Sequence, residues 1–589
     1  MPNENDASNQ DFTLPGSNIK KSLAILPCFR KLQRQRSITR IPSPETGLPC
    51  LAHLQCNNPV RAIHKCRSMT QLKRLILGAI TLVVLLLLGS SLFSSLNEPQ
   101  ITDRLQLYQT DLLLQTSELQ AIPGSTDRLP TKDFLLGKDP IGTALEQYQT
   151  VRKSAEANLK QLQERLAQST HKLPNPDKGI AAAPTEPATP AEQTKQLQVT
   201  LQQQQALINQ LDLRIGLLQA EQNKPSDALN TWTGLIDRLP DTADLTATAK
   251  TLSGLWSEPP RILPDVEQQV QKSLEGWFRD RSLSRLYGLQ QRQDALTRLK
   301  ALQQETAQKT LVRLALVSVA PVIGGLIGVV MLIAVVGQWL IRSKQPQTEK
   351  ENYAWDVPWT GETIWLVLIV GFFFCGQIVI PLVLGSIGID FSGFGTRAKA
   401  FYTLTYYLLM AGSGLLVLYL AIRSHLPLPE GWFRLTGKRN WFLWGISGYF
   451  VALPLMLAVS LINQQIWQGQ GGSNPLLQIV LEEGDPVALG IFLFTAAVAA
   501  PVFEELLFRG FLLPSLTRYV PVSGAIALSS LVFAIAHLSL SEVLPLAVLG
   551  SVLGFVYTRS RGLLAPMLLH SLWNSITMIG LFTLGSGVN

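Results

Sequence analysis

The chain has 589 residues, 47% of them hydrophobic, and a mean hydropathy of +0.19. At about 150 residues per domain it is too long for one compact unit, and its apolar residues gather in runs of about 20, the length that crosses a hydrocarbon core; this excludes an ordinary soluble enzyme. Formal net charge is +8, and residues 1–74 hold twelve Lys/Arg against four Asp/Glu, the bias of a tail kept on the cytoplasmic side rather than of a nucleic-acid partner.

Residues 1–74 are polar, basic and without a periodic run, which predicts a largely disordered cytoplasmic tail. The first apolar run starts too late for a secretory signal. Cys28, Cys50, Cys56 and Cys66 fall in this tail and Cys375 in an apolar run, so no disulfide framework is expected. Cys50, His53, Cys56, His64 and Cys66 are metal-ligating types, but their spacing matches no standard zinc pattern. Residues 75–96 form the first span, entered from Lys73-Arg74.

Residues 97–310 form a long polar insert with 24 Lys/Arg against 26 Asp/Glu. Leucines at helical spacing around 196–218 and 283–302 predict a helical extramembrane domain with coiled-coil parts. Gly216 and Ala228 sit as in a tetratricopeptide-type helix pair, and Asp294-Ala295-Leu296 follows two such periods later. Residues 311–400 carry the next two spans, 314–341 and 363–387. Six more follow at 401–422, 441–463, 487–508, 521–540, 543–558 and 563–584. Arg342, Lys344, Lys350, Arg423, Arg434, Lys438, Arg439, Arg518, Arg559 and Arg561 mark loops on the side of the N-terminus. Trp339, Trp365, Trp441 and Trp444 stand near span ends, where indoles favour the interface. The fold class is all-α, a polytopic helical membrane bundle of about nine spans with a large helical insert.

Two glutamates and an arginine interrupt the apolar run Ala499–Gly510, and ionised groups at membrane depth point to function. Glu505 and Arg509 are four apart with the acid first, the favourable order for an ion pair. Successive helical residues point about 100° apart, so Glu504 faces elsewhere and is free to act as a general base. Phe533 and His537 lie one turn apart, as do His570 and Asn574. An imidazole can hold a water, bind a metal or donate to an oxyanion, and an amide can donate to a developing negative oxygen. No His-Glu-x-x-His occurs, and no Gly-x-Ser-x-Gly occurs in the C-terminal half. Depth constrains the group: Pro521 to His537 covers about 24 Å of helix. A helix ending at Phe508 would keep Glu504 away from His537, whereas one reaching residue 516 would let them meet.

Glu504-Glu505-x-x-x-Arg509, Phe533-x-x-x-His537 and His570-x-x-x-Asn574, in that order within consecutive apolar segments, resemble the three motifs of the CPBP family. That family includes type II CAAX prenyl endopeptidases, Abi proteins and bacteriocin-processing or immunity proteins. The resemblance covers residues 401–589 and implies a protease core there. It implies catalytic roles for Glu504 and His537 in activating water and for His570 and Asn574 in stabilising the oxyanion, with Glu505, Arg509 and Phe533 in support. It also leaves open a Zn2+ site on Glu504, His537 and His570 with one open position, against a metal-independent glutamate reaction.

The expected function is hydrolysis of a peptide bond in a membrane-associated protein or peptide. The alternatives are a non-catalytic interaction or immunity protein that works through the insert, and a transporter that uses paired intramembrane charges. The expected setting is a bacterial plasma membrane or another energy-transducing membrane.

Overall fold

The computed structural model describes residues 59–585 apart from 97, 120–136, 172–189, 241, 344–353, 388–394, 437–439 and 483–484. The tail's cysteine–histidine grouping lies outside the described side chains. The chain divides after Lys73, and Arg74–Asn589 is one compact unit. No strand occurs among the described residues; their β pairing is a single antiparallel bridge, Pro99 to Gln470. The expected all-α membrane bundle is what forms.

Helix α1 (Pro59–Ser95) contains the first span. Seven polar helices follow: α2 (Thr102–Ser117), α3 (Pro140–His171), α4 (Pro190–Glu221), α5 (Pro225–Arg238), α6 (Asp244–Trp256), α7 (Val266–Ser273) and α8 (Gly276–Leu289). Three of them open on proline, whose missing N–H is an unpaired donor at that position in any case. They share a core of their own that includes Leu114, Tyr148, Leu217, Trp232, Leu252, Phe278 and Leu286. Helices α4 and α5 form a tight antiparallel pair. A Cβ on Gly216 would stand 2.3 Å from Trp232 Nε1, and that nitrogen donates to the Leu213 carbonyl at 3.1 Å. Only glycine lets the indole lie so close. Within the core, Tyr148 donates to Asp111 at 2.5 Å, and Arg214 donates to both Tyr148 and Asp111 at 3.1 and 3.3 Å. Such a group is tolerable in an apolar core because its members satisfy one another.

Helix α9 (Gln293–Ser343) runs 51 residues without interruption. Its first half supplies Leu299 to the polar core, and its second half is the apolar stretch expected at 314–341. The remaining helices are α10 (Gly361–Ser386), α11 (Thr396–His425), α12 (Trp441–Trp467), α13 (Pro475–Glu482), α14 (Pro486–Leu516), α15 (Val522–Ile535), α16 (Leu540–Ser560) and α17 (Leu564–Gly585). Among the described residues, eight helices are long and apolar enough to cross a membrane, and α15 is apolar but has only 14 residues. The nine expected spans are therefore eight full ones and one short one of about 21 Å. The bundle centre packs Phe503, Leu507, Phe508, Phe511, Phe533 and Tyr557. On another side, α9, α12 and α16 wall an apolar cleft of about 600 Å³.

Two boundaries differ from the sequence expectation. The span expected at 487–508 continues to Leu516, because Arg509 is neutralised inside the bundle and Phe511, Leu512 and Leu513 after it are buried. The span expected at 521–540 stops at Ile535, so His537 lies in a turn and not on the helix.

Candidate active site

Helix α14 carries the acidic pair, and its backbone is shaped by proline. Asp485 caps its start, accepting the Val487 and Ala488 N–H groups at 2.8 and 3.3 Å. Further along, Thr495–Ala499 and Glu505–Leu512 are wound as π-helix, a widened turn with i→i+5 bonds that recurs at functional sites. The Ala500 N–H bonds back to Thr495 in that register. The next donor in line, for the Ala496 carbonyl, would be residue 501. That residue is proline and has no N–H. The stranded carbonyl accepts from the Asn574 side-chain amide at 2.7 Å. The second proton of that amide remains available.

Glu505 lies at the start of the second π turn and is fully buried, with Arg509 and His570 almost as deep. Arg509 Nη1 donates to Glu505 Oε1 at 2.8 Å and Arg509 Nη2 to the Gly550 carbonyl at 3.2 Å. The guanidinium also lies over the Phe533 ring, 4.6 Å from its centroid. His570 Nδ1 sits 2.8 Å from the same Glu505 oxygen, while its Nε2 faces Glu504 Oε2 at 3.8 Å. One imidazole thus stands between two adjacent carboxylates. The two carboxylates project from adjacent positions about 100° apart, and His570 meets both because its two ring nitrogens face different ones. Glu505 Oε2 is buried with no hydrogen-bond partner among the described residues. Such an oxygen is costly to leave unpaired.

Glu504 is 14% exposed. Its Oε1 accepts from Tyr407 on α11 at 3.1 Å, which leaves Oε2 turned towards His570. His537 Nδ1 is 2.9 Å from the Phe533 carbonyl. A carbonyl only accepts, so Nδ1 carries the proton and a neutral ring keeps its lone pair at Nε2. The His537 ring lies 5.0 Å from the Phe533 ring, and the His570 ring lies 5.9 Å from it on an edge-to-face approach.

Glu504, Glu505, Arg509, Phe533 and His570 therefore form one cluster. His537 joins it through Phe533, and Asn574 stands one turn from His570, bound to α14. Among the described residues, no three His, Cys, Asp or Glu side chains come close enough to hold a metal ion. Glu504, His537 and His570 are not gathered closely enough to share an ion in this arrangement, although each imidazole has Nδ1 engaged and Nε2 directed away from that partner. Two residues escaped the sequence reading. Tyr407 has no motif around it, and its partner is 97 positions away. Glu542 lies within electrostatic reach of His537 and accepts the Asn474 N–H at 2.7 Å; an acid in the first turn of α16 was a visible but unused signal.

Comparison with known proteins follows the same segment. Residues 486–576 match the family model described as Type II CAAX prenyl endopeptidase Rce1-like. The chain is 27% identical over 137 residues to YdiL of Bacillus subtilis, which is named as a membrane peptidase, over 23% of this chain and 55% of the relative. It is 24% identical over 199 residues to the membrane-embedded CAAX protease MroQ of Staphylococcus aureus, over 32% of this chain and 78% of the relative. The chain thus spans only about half the length of the first of these. No solved structure matches it. The chain is an integral multi-pass membrane protein whose segment 486–576 is similar to the Rce1-like, type II CAAX prenyl endopeptidases.

Proposed function

We propose that this protein is an intramembrane endopeptidase that hydrolyses a peptide bond in a membrane-associated protein or peptide. The observation that carries this reading is the single imidazole, His570, held between Glu505 at 2.8 Å and Glu504 at 3.8 Å. One carboxylate is neutralised by Arg509, and the other is left to work. Glu504 takes a proton from water, whose oxygen attacks the scissile carbonyl carbon. The negative charge that develops on the carbonyl oxygen is met by the free Asn574 N–H and, when His570 carries both protons, by its Nε2–H. The C–N bond then breaks and the proton held by Glu504 passes to the leaving amine. His537, with Nε2 open, shares the water with Glu504.

The membrane setting follows the same reading. The basic loops favour a cytoplasmic N-terminus in a bacterial plasma membrane, with the polar helices on the opposite side. The substrate is a peptide in or at the bilayer.

The test uses purified protein in proteoliposomes with membrane-embedded peptides. Removal of a general base costs about 10²- to 10⁴-fold, and Glu504→Gln and His537→Ala are each expected to lower turnover on that scale. Unchanged cleavage by Glu504→Gln would sink the mechanism, and no cleavage by the wild type would favour a non-catalytic role for the polar helices.

A further inference from the structure

We infer that the Gln468–Asn474 loop is the positioning element of the His537 turn, and that Gln470 ties this element to the polar helices. The role assigned to His537 rests on the proposed peptidase reading; the mechanical link does not.

The turn that carries His537 lies between α15 and α16 and passes through Leu538 at φ +59°. The first backbone donors of α16 have no partner within the helix. Leu540 N–H donates to Ser95 Oγ at 3.1 Å, and Ser541 N–H donates to the Gly471 carbonyl at 3.1 Å. Ser539 and Ser541 hydroxyls donate to the Gly471 and Gly472 carbonyls at 3.2 and 2.5 Å. Glu542, the acid beside His537, accepts the Asn474 N–H at 2.7 Å. The turn is thus held from outside, chiefly by one loop.

That loop has an unusual backbone. Gln468, Gly469, Gly471 and Gly472 all have left-handed φ, at 48°, 85°, 99° and 74°. A Cβ on Gly471 would meet both Ser541 Cβ and the Trp467 ring at 2.9 Å, so the close approach to the His537 turn needs glycine.

The other side of the loop belongs to the polar domain. Gln100 N–H donates to Gly469 O at 2.8 Å, and Gly472 N–H donates to Glu98 O at 2.9 Å. Ile101 N–H reaches Ser473 Oγ at 3.2 Å. Gln470 makes the long-range link: its amide donates to Asn158 Oδ1 and Gln161 Oε1 on α3 at 3.0 and 3.2 Å, while its carbonyl accepts from the Gln100 side chain at 2.5 Å. The position of α3 is therefore read by Gln470, passed along a loop hydrogen-bonded on both sides, and delivered to the segment that presents His537.

The test compares Gln470→Ala, Asn158→Ala/Gln161→Ala and the triple variant in proteoliposomes. The first readout is independent of cleavage: the rate at which diethyl pyrocarbonate modifies His537, followed by peptide mass spectrometry. The second is kcat and KM for a membrane peptide. Each variant is expected to change the His537 modification rate several-fold and to lower kcat by about ten- to a hundredfold, the scale of a small misplacement at a reacting group, with KM little changed. The triple variant should be no worse than Gln470→Ala, since all three act through one link. An unchanged modification rate, or additive losses in the triple variant, overturns the inference. If Gln470→Ala does not fold, the α3 pair decides alone. Should the wild type cleave nothing while the modification rate shifts as described, the peptidase reading fails and the link stands.

Discussion

Arg509 shows how much one side chain is asked to do. It neutralises Glu505, caps the Gly550 carbonyl and covers the face of Phe533, all while 1% exposed. Removing one partner of a buried pair leaves an uncompensated charge and costs about 3–5 kcal/mol. Arg509→Ala is expected to lose stability on that scale in a detergent unfolding titration, and Glu505→Gln combined with Arg509→Met should recover most of it. A loss under about 1 kcal/mol, the value of an exposed pair, would mean that water reaches the site. The Glu505–Arg509 spacing was legible because its partners are four residues apart. The His570–Glu505 contact was not, because 65 residues separate them and both identities are compatible with other partners. Tyr407 was invisible for the same reason.

The winding of α14 matters more than its composition suggests. Pro501 strands the Ala496 carbonyl, and that carbonyl fixes Asn574. Pro501→Ala restores a backbone donor that competes for the same oxygen. The variant is therefore expected to gain roughly 1 kcal/mol of stability from one hydrogen bond and to lose turnover as Asn574 is released. Thermal unfolding in detergent and peptide cleavage, measured on one preparation, would show the opposite signs; a gain or loss in both would mean that Asn574 is fixed by something else. Periodicity could not reveal this, because α and π winding bury similar apolar faces. The end of α15 was hidden for a related reason. Ala536 and Leu538 are apolar, so the hydrophobic run continues through the turn, and only the left-handed backbone at Leu538 marks the break. The end of α14 was misplaced by the opposite signal, a charge that looked like a boundary but is paired inside.

At the scale of the molecule, the polar helices are joined to one another by charge as well as by packing. Glu267 on α7 accepts from Tyr287 on α8 at 2.6 Å and from Arg292, just before α9, at 2.7 Å. The Tyr287 hydroxyl first, and Arg292 with it, hold the Glu267 carboxyl below its ordinary 4.5. A depressed acid stabilises the folded state above its unfolded pKa, and that contribution is lost as pH falls through the folded value. Wild-type melting temperature should therefore drop below about pH 4.5 more steeply than that of Glu267→Gln. Parallel acid limbs would remove Glu267 from the account.

Helix α9 belongs to both halves of the molecule. At 1.5 Å per residue it is about 75 Å long, with Leu299 fixed in the polar core and Met331 to Gln338 forming one wall of the apolar cleft. Between them, a Cβ on Gly328 would stand 1.9 Å from the Phe450 carbonyl of α12, and one on Gly324 would stand 2.8 Å from Leu453. Small residues let two helices touch backbone to backbone in this way. One continuous helix is thus a member of the polar core at one end and of the greasy slot's wall at the other, so the two share a single piece of backbone.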